Sequence, residues 1–256
     1  MAPSLANPKL SGRMDESALF ILAAAGLVAG VINTLAGGGS FLTVPVLVLF
    51  GLPGNLANGT NRVGVLLQAF VAAAHFRRSA FLVPRDVLPI LWPIAAGTVL
   101  GALFVNQLSD AVFEKTFGIT MVVLWLGTLR VPPAQAAYPP PSSWRHLAYF
   151  AVGIYGGAFQ AGVGLLLVMM LQRSGLDLLR ANVLKVAVNF CFTFLAVPVF
   201  ILNNRVAWVP ALALGAGYAL GGEVGARLAI GKGEKLLRPA FGLAVVVLAG
   251  HMLGLY

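Results

Sequence analysis

Residues 30–45 read Gly-Val-Ile-Asn-Thr-Leu-Ala-Gly-Gly-Gly-Ser-Phe-Leu-Thr-Val-Pro, inside a stretch, 17–61, that carries no charge over 45 residues. One spanning helix needs only about 20 residues. Three successive glycines are costly inside a helix and break it. The stretch is therefore two apolar halves around a break, with Pro45 just beyond. The arrangement returns at 147–172, where 26 uncharged residues hold Gly156-Gly157 and Ala161-Gly162-Val163-Gly164. Twenty-six residues make only about 39 Å of helix, too little for two crossings. This second stretch is either one broken crossing or a hairpin that enters and returns. For 17–50, two short full spans are a further option.

Outward from these breaks the charges fall in narrow bands: Arg77, Arg78 and Arg85; Asp110, Glu114 and Lys115; Arg130 and Arg145; Lys232, Glu234, Lys235 and Arg238. Between the bands, helical spans are predicted at 57–76, 87–106, 111–129, 182–202, 207–229 and 236–255, because backbone groups in lipid must be paired locally. The 256-residue chain is 59% hydrophobic and 10% charged, against roughly 25% charged in a soluble domain. Its mean hydropathy is +0.90. The fold class is all-α, a polytopic helical membrane protein. Residues 1–16 read as a short N-terminal tail rather than a signal peptide.

Composition also removes function classes. The 17 Lys and Arg against 8 Asp and Glu give +9, but no basic cluster forms a nucleic-acid patch. Cys191 is alone, and His75, His146 and His251 are scattered, so neither a disulfide nor a metal site is expected. No Lys-Ser/Thr phosphate loop follows Gly37-Gly38-Gly39-Ser40, which rejects nucleotide binding; no cofactor is expected. The apolar runs hold no carboxylate pair or nucleophile–base set, so the protein is not read as an enzyme.

Residues 51–130 and 175–254 align at a constant offset of 124. Gly51-Leu52 matches Gly175-Leu176, Ala57-Asn58 matches Ala181-Asn182, and Gly97 and Gly101 match Gly221 and Gly225. Two membrane repeats are predicted, 17–130 and 146–256, joined by a Pro-rich linker at 131–145. If each glycine-rich stretch were a single broken crossing, the Lys and Arg of the loops would divide 8 to 7 between the two sides. If each is a hairpin, the repeats are inverted and the split becomes 11 to 4, with Arg77, Arg78, Arg85, Arg130, Arg145, Arg173, Arg180, Arg227, Lys232, Lys235 and Arg238 inside. The positive-inside rule favours two inverted repeats, each opening with a glycine-broken helical hairpin.

Arg62 and Lys185 are the two cations outside the bands, and the offset brings Lys185 onto Asn61, next to Arg62. Either both snorkel to the interface from helix ends, or they attract an anion. Cation, amides and free N–H groups at a helix break form an anion cradle. The predicted substrate-binding set is Arg62, Lys185, Asn58, Asn61 and Asn182, the backbone of Gly38, Gly39, Ser40, Gly162 and Gly164, and Gln160, which abuts the second break. Gln68, Asn189 and Thr193 line a route or bond a neighbouring helix. Glu223 either pairs with Arg227 one turn on or is a coupling carboxylate. The Gly97-x-x-x-Gly101 and Gly221-x-x-x-Gly225 pairs mark close helix contact, within the subunit or in a homodimer.

The chain resembles the sulfite exporter TauE/SafE family of membrane transporters. The resemblance rests on residues 30–45, Gly51-Leu52-Pro53, Ala57-x-Gly59-Thr60-Asn61 with Arg62, Ala161-Gly162-x-Gly164, Ala181-Asn182-x-x-Lys185 and Gly221-Gly222-x-x-Gly225-Ala226-Arg227-Leu228. It implies a multi-pass protein of the cell inner (cytoplasmic) membrane that exports a small anion such as sulfite or sulfoacetate. With no ATPase motif in the sequence, active transport would be coupled to protons, sodium or the substrate gradient. The expected mechanism is alternating access at the repeat interface; the alternative is an anion channel or uncoupled facilitator. Val163 stands where the first break has Gly38, and Met170 where it has Pro45, so the second break is expected either to be less sharp or to do less of the binding.

Overall fold

The structure is a computed structural model that describes residues 15–79, 81, 87–129, 142–230 and 251–254. Among these, nine helices and no strand are found: α1 Glu16–Leu35, α2 Ser40–Leu49, α3 Gly54–Arg78, α4 Leu88–Val105, α5 Asp110–Leu129, α6 Ser142–Ala158, α7 Val163–Arg173, α8 Leu178–Leu202 and α9 Trp208–Ile230. Five predicted spans appear within a few residues of their expected bounds. The sixth, 236–255, lies almost wholly outside the described residues.

The turns explain themselves from sequence. Gly51 and Gly175 both take left-handed backbone, φ +88° and +90°. Leu52 N–H then closes on the Leu47 carbonyl at 3.1 Å, and Leu176 N–H on the Leu171 carbonyl at 3.3 Å. Each is a helix C-terminus sealed by a glycine that alone takes this conformation without strain. Pro53 then starts α3 and Asp177 caps α8, its carboxylate accepting from Arg180 N–H at 2.9 Å.

Glycine stripes set the packing. On α9, Gly217, Gly221 and Gly225 lie against Ala23, Leu27 and Thr34 of α1. On α4, Gly97 and Gly101 lie against Phe150 and Ile154 of α6. Both registers increase together, so α1 runs with α9 and α4 runs with α6. The predicted close-contact faces thus meet within the subunit. Small residues let these backbones approach where lipid offers no hydrophobic drive for association.

Other contacts fix the remaining directions. Thr60 accepts from Ala207 N–H at the start of α9 and His75 meets Glu223 near its end, so α3 also runs with α9. Gly59 lies on Phe200 and the Phe70 ring on Phe190, so α8 runs opposite to α3. Asn55, at the start of α3, donates to the Leu108 carbonyl just past α4, so α4 also opposes α3.

Since α1 and α3 run the same way, the ten residues of α2, about 15 Å of helix, must bring the chain back. Gly39 accordingly sits against the Ala29 carbonyl, well before the end of α1. In the second half Ser174, after α7, comes close to Tyr149 midway along α6, so α7 also doubles back. Both glycine-rich stretches are hairpins.

Polarity is inverted relative to a soluble protein. Phe20, Trp92, Phe104, Phe194 and Leu202 are each more than half exposed, while Asn33, Thr34, Asn58, Asn61, Arg62, Gln68 and Lys185 are buried. By length and composition α1 and α8 are candidate membrane spans, and the apolar exterior supplies what length alone does not. We expect Gly97→Leu and Gly221→Leu to yield no monodisperse protein in size-exclusion chromatography, because their side chains would enter the Phe150 and Leu27 carbonyls. Gly51→Ala meets open space and should fold at a cost of about 1–2 kcal/mol from its left-handed backbone.

Candidate anion site at the two glycine breaks

The two breaks touch. Gly37 takes φ +85°, and a Cβ there would stand 2.5 Å from the Gly164 Cα, so neither residue has room for a side chain. The Phe41 ring, one residue into α2, covers Gly162. The expectation of a blunter second break is overturned: Gln160 and Gly162 are both left-handed, φ +61° and +72°. The bend falls before Val163, which simply begins α7, so losing a glycine at that position costs the break nothing. Gln160, a non-glycine held where the backbone costs about 1–2 kcal/mol, is fixed by its Nε2 donating to Thr193 Oγ1 at 2.9 Å.

Broken helices leave carbonyls without partners at their C-terminal ends, where the helix dipole is negative. Each buried cation answers this for the opposite half of the chain. Lys185, on α8, donates from Nζ to the carbonyls of Asn33 and Thr34 at 2.9 and 2.8 Å, at the tip of α1. Arg62, on α3, donates from Nη2 to the carbonyls of Gly156 and Gly157 at 3.1 and 2.6 Å, at the tip of α6. Arg62 is 0% and Lys185 1% exposed. Neither snorkels to an interface.

The magnitudes explain how Arg62 is tolerated. A charge at the centre of a spanning helix costs about 2.5–3.5 kcal/mol on insertion scales. Two charge-assisted hydrogen bonds return about 1.5–3 kcal/mol each, and the guanidinium lies 4.4 Å from the centroid of the Phe200 ring, worth about 2 kcal/mol when desolvated. Even so, Arg62 Nε and Nη1 find no hydrogen-bond partner, and no carboxylate of a described residue reaches the guanidinium.

The amides divide into a spoken-for set and an open set. Asn61 is a hub: its Nδ2 donates to Ser40 Oγ at 2.9 Å, and its Oδ1 accepts from Thr43 Oγ1 at 2.6 Å and from the Tyr218 hydroxyl at 3.1 Å. Asn33 Nδ2 donates to Gln68 Oε1 at 2.6 Å, and Gln68 Nε2 to Thr34 Oγ1 at 2.7 Å, which braces the tip that Lys185 holds. Asn58 Nδ2 donates to the Ala158 carbonyl at 2.8 Å, at the tip that Arg62 holds. The side-chain oxygens of Asn58, Gln160, Asn182 and Asn189 are buried and unpaired. The N–H groups of Gly38, Gly39, Ser40, Gly162 and Gly164 donate to no backbone carbonyl.

The predicted residues therefore meet in two groups, one at each tip. Arg62 and Asn58 meet at the tip of α6; Lys185 holds the tip of α1 and packs its stem on Gly164, and Asn61 bonds Ser40 just beyond that first break. Asn182 is buried, but no described side chain bonds its oxygen. Glu223 stands apart in the last turns of α9, bonding Arg227 Nη2 at 2.8 Å and His75 Nδ1 at 3.1 Å. Sequence reasoning missed Asn33, Thr34, Thr43, Tyr218 and Phe200. Asn33-Thr34 directly before the break was a usable signal; Tyr218 and Phe200 act from a distant helix and had none. No group of His, Cys, Asp or Glu able to hold a metal occurs among the described residues.

Removing either cation opens a tip. Arg62→Met and Lys185→Met should each lower stability by about 3 kcal/mol or more, read as thermal midpoints in detergent. Arg62→Lys, which keeps one charged donor, should lose less than half as much.

The profile of a family described as sulfite exporter TauE/SafE matches residues 22–252. A Haemophilus influenzae protein named "Probable membrane transporter protein" is 28% identical over 230 residues, 86% of this chain and 89% of that one. A Sinorhizobium protein, "Probable membrane transporter protein ORF9", is 28% identical over 248 residues, 94% and 95% of the two chains. Escherichia coli K12 has "Probable membrane transporter protein YfcA", 26% identical over 234 residues, 89% and 86%.

Proposed function

This chain is a membrane transporter and belongs to the sulfite exporter TauE/SafE family, and on that premise we propose that it is a multi-pass secondary exporter of a small anion in the cytoplasmic membrane. The cargo is a sulfur-containing oxyanion or organosulfonate such as sulfite or sulfoacetate, sulfite being the anion that the family description names. The carrying observation is Arg62: fully buried, with no carboxylate partner among the described residues, and with two guanidinium nitrogens open. A buried cation that keeps donors open and meets no carboxylate of a described residue suits an anion, since buried charge without a counter-charge is costly.

Two inverted repeats supply the machinery. The directions support this: α1, α3 and α9 run one way and α4, α6 and α8 the other, so the partners at the repeat offset oppose one another. Arg62 Nε and Nη1 hold the anion, with the free N–H groups at Gly38–Ser40 and at Gly162 and Gly164 as further donors, Asn61, Asn182 and Gln160 lining the space, and Lys185 keeping the opposite tip in place. Alternating access is a rocking of one half against the other about the contact between Gly37 and Gly164. No bond is made or broken in the cargo, and proton or sodium movement supplies the drive.

Counterflow in proteoliposomes loaded with sulfite, sulfate, thiosulfate, sulfoacetate or simple carboxylates tests this. Saturable exchange of one or a few sulfur anions, lost in Arg62→Glu and weakened in Arg62→Lys, is expected. Anion-dependent current without counterflow would replace the carrier with a channel. Glu223→Gln separates pairing from coupling: exchange survives in both cases, and only a coupling role abolishes uptake driven by an ion gradient.

A further inference from the structure

A hollow of about 800 Å³ opens on the outer face of the bundle, between the last turns of α3, the start of α4 and the middle of α8. Its floor is made of small residues, Ala73, Ala74 and Ala187, and its walls of Phe70, Leu91 and Phe190. The Phe70 and Phe190 rings stand 5.8 Å apart on one side. At the end where α3 leaves the bundle, the rim is formed by Arg77 and Arg78. Both are exposed, neither forms an ion pair with a described residue, and no acidic residue among the described ones lines the hollow.

An apolar trough open to the lipid is filled by acyl chain. A paired guanidinium rim directly above it adds a demand for negative charge that a hydrocarbon tail does not meet. Arginine matches phosphate geometry, and a basic pocket between membrane helices selects anionic headgroups. We propose that this hollow is a binding site for an anionic glycerophospholipid, with its acyl chain between Phe70, Leu91 and Phe190 and its phosphate on Arg77 and Arg78. A zwitterionic lipid fills the same trough but brings a cationic headgroup to two arginines. The lipid straddles α3, α4 and α8 and so ties the helix that carries Arg62 to its neighbours.

The chain carries its own reporter, since its single cysteine, Cys191, lines the hollow. Full-length protein in detergent is titrated with phosphatidylglycerol or phosphatidylcholine while the rate of maleimide addition to Cys191 is followed. Phosphatidylglycerol should protect Cys191 at roughly thirtyfold lower concentration, about 1 kcal/mol for each of the two arginines setting the scale. In Arg77→Ala/Arg78→Ala, shown to be monodisperse, the two lipids should protect alike, at the concentration that phosphatidylcholine needs in the parent. Equal protection by both lipids in the parent protein would overturn the proposal, as would a preference that survives the double substitution. Glycerol 3-phosphate should give no protection; if it matches phosphatidylglycerol, the site reads free phosphate and the lipid assignment fails.

Discussion

The rest of the molecule depends on a reciprocal pair of helix caps. Lys185 holds the tip of α1 through the carbonyls of Asn33 and Thr34, and Arg62 holds the tip of α6 through those of Gly156 and Gly157. Each broken helix would otherwise end inside a low-dielectric interior with a negative dipole and unsatisfied oxygens. Neither half of the chain can supply the cap for its own break, because each cap comes from the other half. This exchange brings Gly37 against Gly164, and it explains why the two cations are buried together with amides rather than placed at the membrane edge.

The same requirement shapes the parallel contacts of α1 with α9 and α4 with α6. For a tip to reach the cation of the opposite half, its helix must pack closely on the other half along its length. Glycines at Gly26, Gly30, Gly217 and Gly221 on one side and Gly97, Gly101, Gly153 and Gly157 on the other remove the side chains that would prevent it. The polar interior then follows from the caps, since Asn33, Gln68 and Thr34 brace one tip and Asn58 the other. Asn61, Thr43 and Tyr218 link α2 to α3 and α9 through a closed hydrogen-bonded set, whereas Arg62 is left with donors to offer.

Much of this was legible in the sequence. Apolar runs between the charge bands located α3, α4, α5, α8 and α9 because lipid enforces helices and disfavours charge. Gly51-Leu52 and Gly175-Leu176 announced matching turns because only glycine takes that backbone freely. Arg62 and Lys185 stood out because a cation in an apolar run needs a reason. The hairpin question came down to counting loop charges. What stayed hidden was relational. No local pattern says that Lys185 reaches across about 150 positions to α1, that Phe200 underlies Arg62, or that Tyr218 completes the Asn61 set. The bend at Gln160 was misjudged because a glutamine held left-handed by a distant threonine carries no local signature.

The central claim is that Arg62, while capping α6, keeps its remaining donors for an anion. Its most direct test is a crystal structure of the full chain with selenite, the selenium counterpart of sulfite, located by anomalous scattering. The account predicts a peak within hydrogen-bonding distance of Arg62 Nε or Nη1, with Nη2 still on the carbonyls of Gly156 and Gly157. A peak confined to the surface arginine bands, or an Arg62 whose Nε and Nη1 are closed off by protein groups, would contradict it.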